Sequence, residues 1–229
     1  MKYAIPVFAL LFAVAVAAAD WPHYLGPNHD NTSSETGLAA TWPAGGPPKL
    51  WEFELGPGFA SPAVVGDRLY AVRRIQPRGE GATGPQKDVI LCLNALTGES
   101  VWTTEVESGT RDYGYPGSRT SPSVKDGRVF VIGPAGELYA LAAADGALLW
   151  RRNLLADFQS KSPGWAVGQS PLAWEDLVIC TPMGRKAAVV ALAADTGKTV
   201  WETRIDDKVV GGDMMTYNSP ILATIHGVE

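Results

Sequence analysis

The 229-residue sequence is poor in the residues that most often declare a function. It has two cysteines and three histidines, too few and too scattered for a disulfide framework or a His/Cys metal site. Charged residues make up only 19%, and the balance is acidic, −5 at pH 7. A surface for nucleic acid needs a basic patch, which this balance argues against. The 46% hydrophobic content separates the chain from disordered tails. Beyond the first twenty residues no long segment repeats apolar positions with a period of 3.6, which excludes a helical solenoid. Glycine and proline, by contrast, are in excess at 25 and 17 residues. That excess points to many tight turns between short strands.

The N-terminus has its own pattern. Lys2 gives a positive start, Ile5 to Val16 is an apolar run, and Ala17-Ala18-Ala19 precedes Asp20. A charged start, a short apolar middle and a small-residue exit predict a secretory signal peptide over residues 1–19. The apolar run is at the lower limit for crossing a bilayer. The expectation is therefore cleavage after Ala19, no membrane span afterwards, and a periplasmic or extracellular location.

The remainder is repetitive. Leu93–Trp102 reads LNALTGESVW, Leu141–Trp150 reads LAAADGALLW, and Leu192–Trp201 reads LAADTGKTVW. Gly98, Gly146 and Gly197 each stand four residues before a tryptophan, and Trp51 extends the series upstream. A second ladder is formed by Ser61-Pro62, Ser121-Pro122, Ser170-Pro171 and Ser219-Pro220. Two independent markers share a period near 50 residues. Each unit reads as four strands: a start at Ser-Pro, where proline is tolerated, then runs such as Arg128–Ile132, Glu137–Leu141 and one from Ala147, separated by turns such as Asp126-Gly127. In the first unit a long basic Gly/Pro-rich loop, Arg73–Lys87, separates the second and third strands and reads as a solvated, mobile tip.

Four-stranded units of this length predict an all-β protein, a β-propeller of four-stranded antiparallel blades. A β-sandwich would not require the recurring Gly-x-x-x-Trp. Trp51, Trp102, Trp150 and Trp201, with Gly98, Gly146 and Gly197, are the candidate blade-docking residues, since an aromatic at a fixed place on each outer strand can pack between neighbours. The expected layout is an N-terminal extended segment at 20–48 and a partial propeller at 49–229. Its blades cover about 59–107, 118–156 and 168–207, with a partial one at 217–229. Lys49–Leu55 reads as an orphan outer strand. An orphan strand before three blades and a stub predicts a truncated chain whose ring is closed by missing C-terminal blades.

The pattern SP-x-V, RVFV, ELYAL and x-G-x-x-x-W resembles the pyrroloquinoline-quinone (PQQ) repeat. That family builds eight-bladed propellers in quinoprotein alcohol dehydrogenases and in non-enzymatic relatives, including an outer-membrane assembly propeller. The segment Asp20–Asp30, DWPHYLGPNHD, resembles the start of secreted bacterial members. The family's usual Asp after the leucine is replaced by Asn94, Ala142 and Ala193, so those turns are expected to lose a side-chain acceptor. The resemblance implies one of two functions. One is a binding or assembly scaffold with no catalysis of its own in this segment. The other is a PQQ- and calcium-dependent alcohol-type dehydrogenase whose site lies mostly in the missing half. The dehydrogenases use an adjacent Cys pair and a carboxylate set around calcium, which needs six to eight oxygens. Cys92 and Cys180 stand apart in apolar strands and read as buried small side chains.

No catalytic or metal residue is assigned, and His23, His29 and His226 have no ligand spacing. Binding is expected on the axial face, where Gly109–Arg119, Lys161–Gln169 and Gly211–Asn218 lead into the innermost strands. These segments carry Tyr113, Tyr115, Arg119, Trp165, Gln169, Asp213, Tyr217 and Asn218. Aromatics with amides and an arginine suit a protein or a small polar ligand. Arg119, Gln169 and Asn218 are taken as near-equivalent positions whose tips converge on the axis.

Overall fold

The glycine turns and β-branched runs assemble into three sheets, each of four sequential antiparallel strands. The computed structural model describes residues 19–75, 86–109, 113–114, 117–204 and 213–226. The first sheet contains β1 (Ala63–Val65), β2 (Arg68–Ile75), β3 (Lys87–Asn94) and β4 (Ser100–Glu107). The second contains β5 (Ser123–Lys125), β6 (Arg128–Ile132), β7 (Glu137–Ala142) and β8 (Leu148–Asn153). The third contains β9 (Leu172–Trp174), β10 (Leu177–Cys180), β11 (Val189–Ala193) and β12 (Thr199–Thr203). Spatial order follows chain order in every sheet. The fold is an all-β partial propeller, apart from the one-turn helix α1 (Leu154–Asp157), capped by Asn153 Oδ1 on Ala156 N at 2.8 Å.

The first turn of each blade is set by residues that tolerate positive φ. Asp126 (φ 46°) and Gly127 (φ 72°) join Lys125 to Arg128 by a two-residue hairpin. The first strands converge, with β1 against β5 and β5 against β9, so they form the inner ring. Between sheets lie the cores. Tyr70, Val72, Ile90 and Cys92 of the first blade meet Val129, Val131, Tyr139 and Leu141 of the second. Phe130, Ile132, Leu138 and Ala140 in turn meet Val178, Cys180, Val190 and Leu192 of the third, with Leu154 and Phe158 closing one end. A blade between two others is thus buried on both faces. That explains why β6 and β7 of the second blade are each buried at four consecutive positions rather than alternately.

Both sequence ladders become contacts between blades. The indole Nε1 of Trp51 donates to Ala95 O at 3.0 Å, that of Trp102 to Ala143 O at 2.9 Å, and that of Trp150 to Ala194 O at 3.0 Å. Each ring covers the glycine three residues further on. A Cβ on Gly98, Gly146 or Gly197 would stand 2.5–2.7 Å from the indole carbons. A bulge next to each of Trp102, Trp150 and Trp201, between Cys92/Leu93, Ala140/Leu141 and Ala191/Leu192, repeats in all three sheets. Two residues after the tryptophan a second bond follows: Thr104 Oγ1 to Gly146 O at 2.6 Å, and Arg152 Nη1 to Gly197 O at 2.6 Å. Trp201 is 41% exposed, with no glycine under its ring among the described residues. On the inner ring each serine accepts from the backbone of the one before. Ser61 N donates to Ser121 Oγ at 3.0 Å, Ser121 N to Ser170 Oγ at 2.9 Å, and Ser170 N to Ser219 Oγ at 2.8 Å.

Three expectations are corrected. Lys49–Leu55 holds no strand. It is fixed through side chains, Trp51 and Leu55 packing on Ala71, Leu91 and Leu93. The Arg73–Lys87 loop is shorter than its composition suggested, because β2 runs on to Ile75 and pairs there with Lys87. Residues 76–85 lie outside the described residues. Finally, the turn after Leu93 keeps its side-chain acceptor, since Asn94 Oδ1 takes Leu96 N at 2.9 Å and Thr97 N at 3.0 Å.

Residues 1–18 of the proposed signal segment lie outside the described residues. From Asp20 the chain runs along the inner ring. Trp21 and Val64 exchange two backbone bonds of 2.7 and 2.9 Å, and Val124 N donates to Pro22 O at 2.9 Å. His23 is buried and its Nδ1 accepts from Leu25 N at 3.2 Å. Its ring stacks on His29 at 4.1 Å. Burial first, then the His29 charge, pushes the His23 pKa down to about 4.

Candidate functional site

The segments leading into the inner strands lie on one face, alongside the β2–β3 end of the first blade. Their backbones are stitched together in parallel bridges, Gly58 with Ser118 and Lys161 with Met214. Gly117 (φ 98°) makes the first bridge feasible, because a Cβ there would lie 2.1 Å from Pro57 O. Over these segments opens a cleft of about 430 Å³ lined by Phe59, Arg119, Trp165, Gly168 and Tyr217. The Arg119 guanidinium sits 5.8 Å from the Phe59 ring centre, and Trp165 and Tyr217 are 6.1 Å apart. The backbone N–H of Trp165 also donates to Tyr217 Oη at 3.1 Å, which anchors the Tyr217 side chain to the neighbouring lead-in segment.

The register of the cleft is simple. Phe59, Arg119, Gly168 and Tyr217 each stand two residues before a Ser-Pro pair. Position −2 of four successive units therefore lines one surface, and Trp165 adds a wall. The residue one place later does different work. Thr120 is buried and its hydroxyl bonds Ile132 O. Gln169 is fully buried, its amide donating to Thr181 O at 2.8 Å and accepting from Thr181 N and Oγ1, both at 2.9 Å. Each ties its lead-in segment to the end of the second strand of its own unit. Arg119 is thus equivalent to Phe59, Gly168 and Tyr217, one place off the expected alignment with Gln169 and Asn218.

The remaining candidates separate in the same way. Asn218 is exposed, and its carbonyl accepts from Thr181 Oγ1 at 3.4 Å. Asp213 is held by Lys161 at 2.7 Å and Arg185 at 2.8 Å. Chiefly the Lys161 hydrogen bond, and with it the positive charges of Lys161 and Arg185, keeps its carboxyl below the usual range. Tyr113 is buried with its hydroxyl 3.5 Å from Ser162 Oγ. Tyr115 lies outside the described residues. Phe59 was not singled out in the sequence; its signal was its place two residues before Ser61-Pro62.

Beside the cleft, between the first two blades, is a buried polar cluster. Arg74 bonds Gln86 Oε1 and lies 3.7 Å from Asp88. Burial pushes the Asp88 pKa up to about 6 despite Arg74, with Glu137 adding to the rise. Glu137 is likewise raised by burial. Arg119 is near enough to lower the Arg74 pKa further after desolvation.

A family profile described as outer membrane protein assembly factor BamB, built on the PQQ repeat, matches residues 39–157 and, overlapping, 86–225. The chain belongs to this family. It is 29% identical to outer membrane protein assembly factor BamB of Burkholderia pseudomallei over 235 residues, covering 99% of this chain and 51% of that protein. It is 34% identical to a polyvinylalcohol dehydrogenase of Pseudomonas sp over 102 residues, 42% of this chain and 15% of that enzyme. The chain therefore spans about half of the first relative and a small part of the second. Among solved structures, BamB from Moraxella catarrhalis aligns with 55% of this chain and 36% of its own, at 21% identity and a TM-score of 0.39.

Calcium and PQQ, which the family's enzymes use, can be tested against the donors present. Among the described residues no three His, Cys, Asp or Glu gather as metal ligands. Cys92 and Cys180 are buried in different sheets. Burial pushes the Cys180 thiol up to about 12, the reverse of a reactive thiol. The described residues do not fit a calcium–quinone site.

Proposed function

We propose that this propeller is an exported binding scaffold that docks a protein partner on its axial face, with no catalysis in the segment described. The observation that carries this reading is the cleft built from position −2 of four successive units. Three large aromatics and an arginine form the composition of an interaction hot spot. They stand on segments held by short bonds to a rigid scaffold, as binding loops commonly do. The BamB relative is named as an assembly factor of outer membrane proteins, which agrees with such a role and with a periplasmic or extracellular location. Among the described residues no helix is long and apolar enough to cross a membrane.

The relative named as a polyvinylalcohol dehydrogenase favours a second reading, a PQQ- and calcium-dependent oxidoreductase. One experiment separates the two. A photo-crosslinking residue is placed at Phe59 or Tyr217 in the exporting cell, with Leu149 on the outer edge of the second blade as control. A discrete protein adduct from the cleft and none from Leu149 supports the scaffold. No cleft-specific adduct, together with uptake of PQQ and Ca²⁺ and dye-linked alcohol oxidation by the full gene product, overturns it.

A further inference from the structure

The core between the first two blades is apolar, but one end of that seam is not. Arg74 and Asp88 stand directly opposite each other in the β2–β3 register, and their side chains are 0% and 3% exposed. Glu137 opens β7 on the second blade. Gly133 lies between the two acids: a Cβ there would stand 3.4 Å from Asp88 Oδ2 and 3.5 Å from Glu137 Oε2. Both carboxylates therefore border one small space that no side chain of Gly133 fills. Hydrogen bonds engage only part of the cluster. Arg74 Nη2 donates to Gln86 Oε1 and, at 3.5 Å, to Ser108 O. Asn153 Nδ2 donates to Glu137 Oε1 at 3.4 Å. Arg74 Nε and Nη1, Asp88 Oδ1 and Glu137 Oε2 are buried with no hydrogen-bond partner among the described residues.

A buried donor or acceptor left unsatisfied is destabilising, so these atoms together call for an occupant. It must accept from a guanidinium and donate to carboxylates. A cation is repelled by Arg74, and an anion by both acids. Water does both jobs. The 3.7 Å from Arg74 Nη1 to Asp88 Oδ1 is too long for a direct hydrogen bond and leaves the two ends to be joined through a third group. Charge adds a second constraint. With both acids ionised, the cluster sets two negative charges against the one positive charge of Arg74. One proton makes it neutral, the favoured state for groups withdrawn from water. The other charged and titratable groups around it do not supply the balance. Arg151 of β8 attracts Glu137 from an exposed position, where salt screens it. Arg119 acts on Arg74 as a like charge, and Tyr113 also faces Arg74. Lys87 is engaged by Glu105. The Tyr139 hydroxyl donates to the backbone of Glu107 at 2.7 Å.

We infer that this cluster is a proton-binding site in which Asp88 and Glu137 hold one proton between them, with bound water joining them to Arg74, and that release of the proton loosens the seam between the first two blades. The two acids belong to different blades, so ionising both sets up a repulsion that acts across the seam. They titrate as a pair rather than as separate residues. The folded chain keeps a proton that unfolded carboxyls give up near about pH 4. The seam is therefore tightest in mild acid and weakens as pH rises through about 6, the value to which burial first, and Glu137 in addition, raise Asp88.

Carboxyl ¹³C NMR of the full gene product, labelled in Asp alone or in Glu alone, tests this. One Asp signal and one Glu signal are expected to share a single step near pH 6, and Asp88→Asn and Glu137→Gln each remove one of them. In Glu137→Gln the Asp88 step moves to lower pH, because the like charge is gone. Amide exchange, corrected for the intrinsic effect of pH, reads the seam. Protection in β3 should fall about tenfold between about pH 5 and about pH 8, and Asp88→Asn should abolish that fall. The Arg74 Nε–H should show a cross-peak to water. An Asp signal that titrates only near about pH 4, an Asp88 step unmoved in Glu137→Gln, a fall in protection that persists in Asp88→Asn, or no water contact at Arg74 overturns the inference. The titration of the unsubstituted chain decides by itself if a variant fails to fold: without a shared Asp and Glu step near pH 6 the proton pair does not exist.

Discussion

Gly146→Ala isolates the contact that joins the first blade to the second. Gly146 has φ 74°, a left-handed backbone that costs an alanine about 1–2 kcal/mol. The new methyl would also stand 2.5 Å from Trp102 Cε3 and 2.6 Å from Thr104 Oγ1. To restore ordinary contact the indole must withdraw by roughly 1 Å. That strains or breaks the 2.9 Å bond from Trp102 Nε1 to Ala143 O, worth about 1 kcal/mol. It also wets part of a ring now only 8% exposed, at about 1 kcal/mol for ~40 Å². The sum is about 3–4 kcal/mol. Gly127→Ala is the matched control: its φ is 72°, but nothing lies within 4 Å of the added methyl. It carries the backbone strain alone, so Gly146→Ala should be the worse by about 2 kcal/mol in urea unfolding followed by circular dichroism. In a Trp102→Ala/Thr104→Ala background, which removes both groups the methyl meets, the two alanines should cost the same, which closes the cycle. If the variants differ by less than about 0.5 kcal/mol in the parent, the indole–glycine contact does not hold the blades as argued.

Further outcomes follow from other contacts. Ser121→Ala removes the acceptor of Ser61 N from a buried rung and should lower stability by about 1–2 kcal/mol in the same assay. Gln169→Leu removes all three hydrogen bonds between Gln169 and Thr181 and should cost about 2–3 kcal/mol in the same assay. Asp88 has its folded pKa raised to about 6, so its contribution is most favourable below about pH 4 and is lost as pH rises towards 6. Asp88→Asn should therefore remove a stability gain otherwise seen on acidification across that window. His23 acts in the opposite sense. Its folded pKa is depressed to about 4, so its contribution is present above about pH 6.5 and is lost as pH falls towards 4. Limited proteolysis near Trp21 should accelerate over that fall, and His23→Gln should blunt the dependence.

The fold was readable because its fixed points have fixed chemistry. Gly146 must be glycine where an indole presses on a left-handed turn, and Ser121 must present a hydroxyl where the backbone of Ser61 needs an acceptor. Residues so constrained recur identically, and their period announced the blades. The cleft was less legible for the converse reason. Position −2 is Phe, Arg, Gly and Tyr in turn, so no residue type marks it, and only its phase against Ser-Pro does. Selection by composition favoured Gln169, whose amide looks suited to a ligand but is consumed by Thr181. Arg74 looked like part of a solvated tip because its neighbours Arg73, Pro77 and Gly79 read as loop. In the structure β2 continues through it, and the side chain turns inward towards Asp88. Lys49–Leu55 carried a tryptophan in the right phase and so read as a strand. Its position depends on where Trp51 docks rather than on backbone pairing.

The two ladders lie at different radii, and that difference has a mechanical meaning. The serines fasten neighbouring blades near the axis, and the indole–glycine pairs fasten them at the rim. A single row of fastenings would act as a hinge and let one sheet swing about it. Two rows act like two pins through a plate and remove that freedom. Loss of a rim pin should let a blade splay outward about its serine, widening the gap between segments that carry Phe59 and Arg119. Loss of an axial pin should instead leave the rim closed and shift those segments along the axis. The geometry of the cleft is in this sense set by fastenings that never touch its occupant.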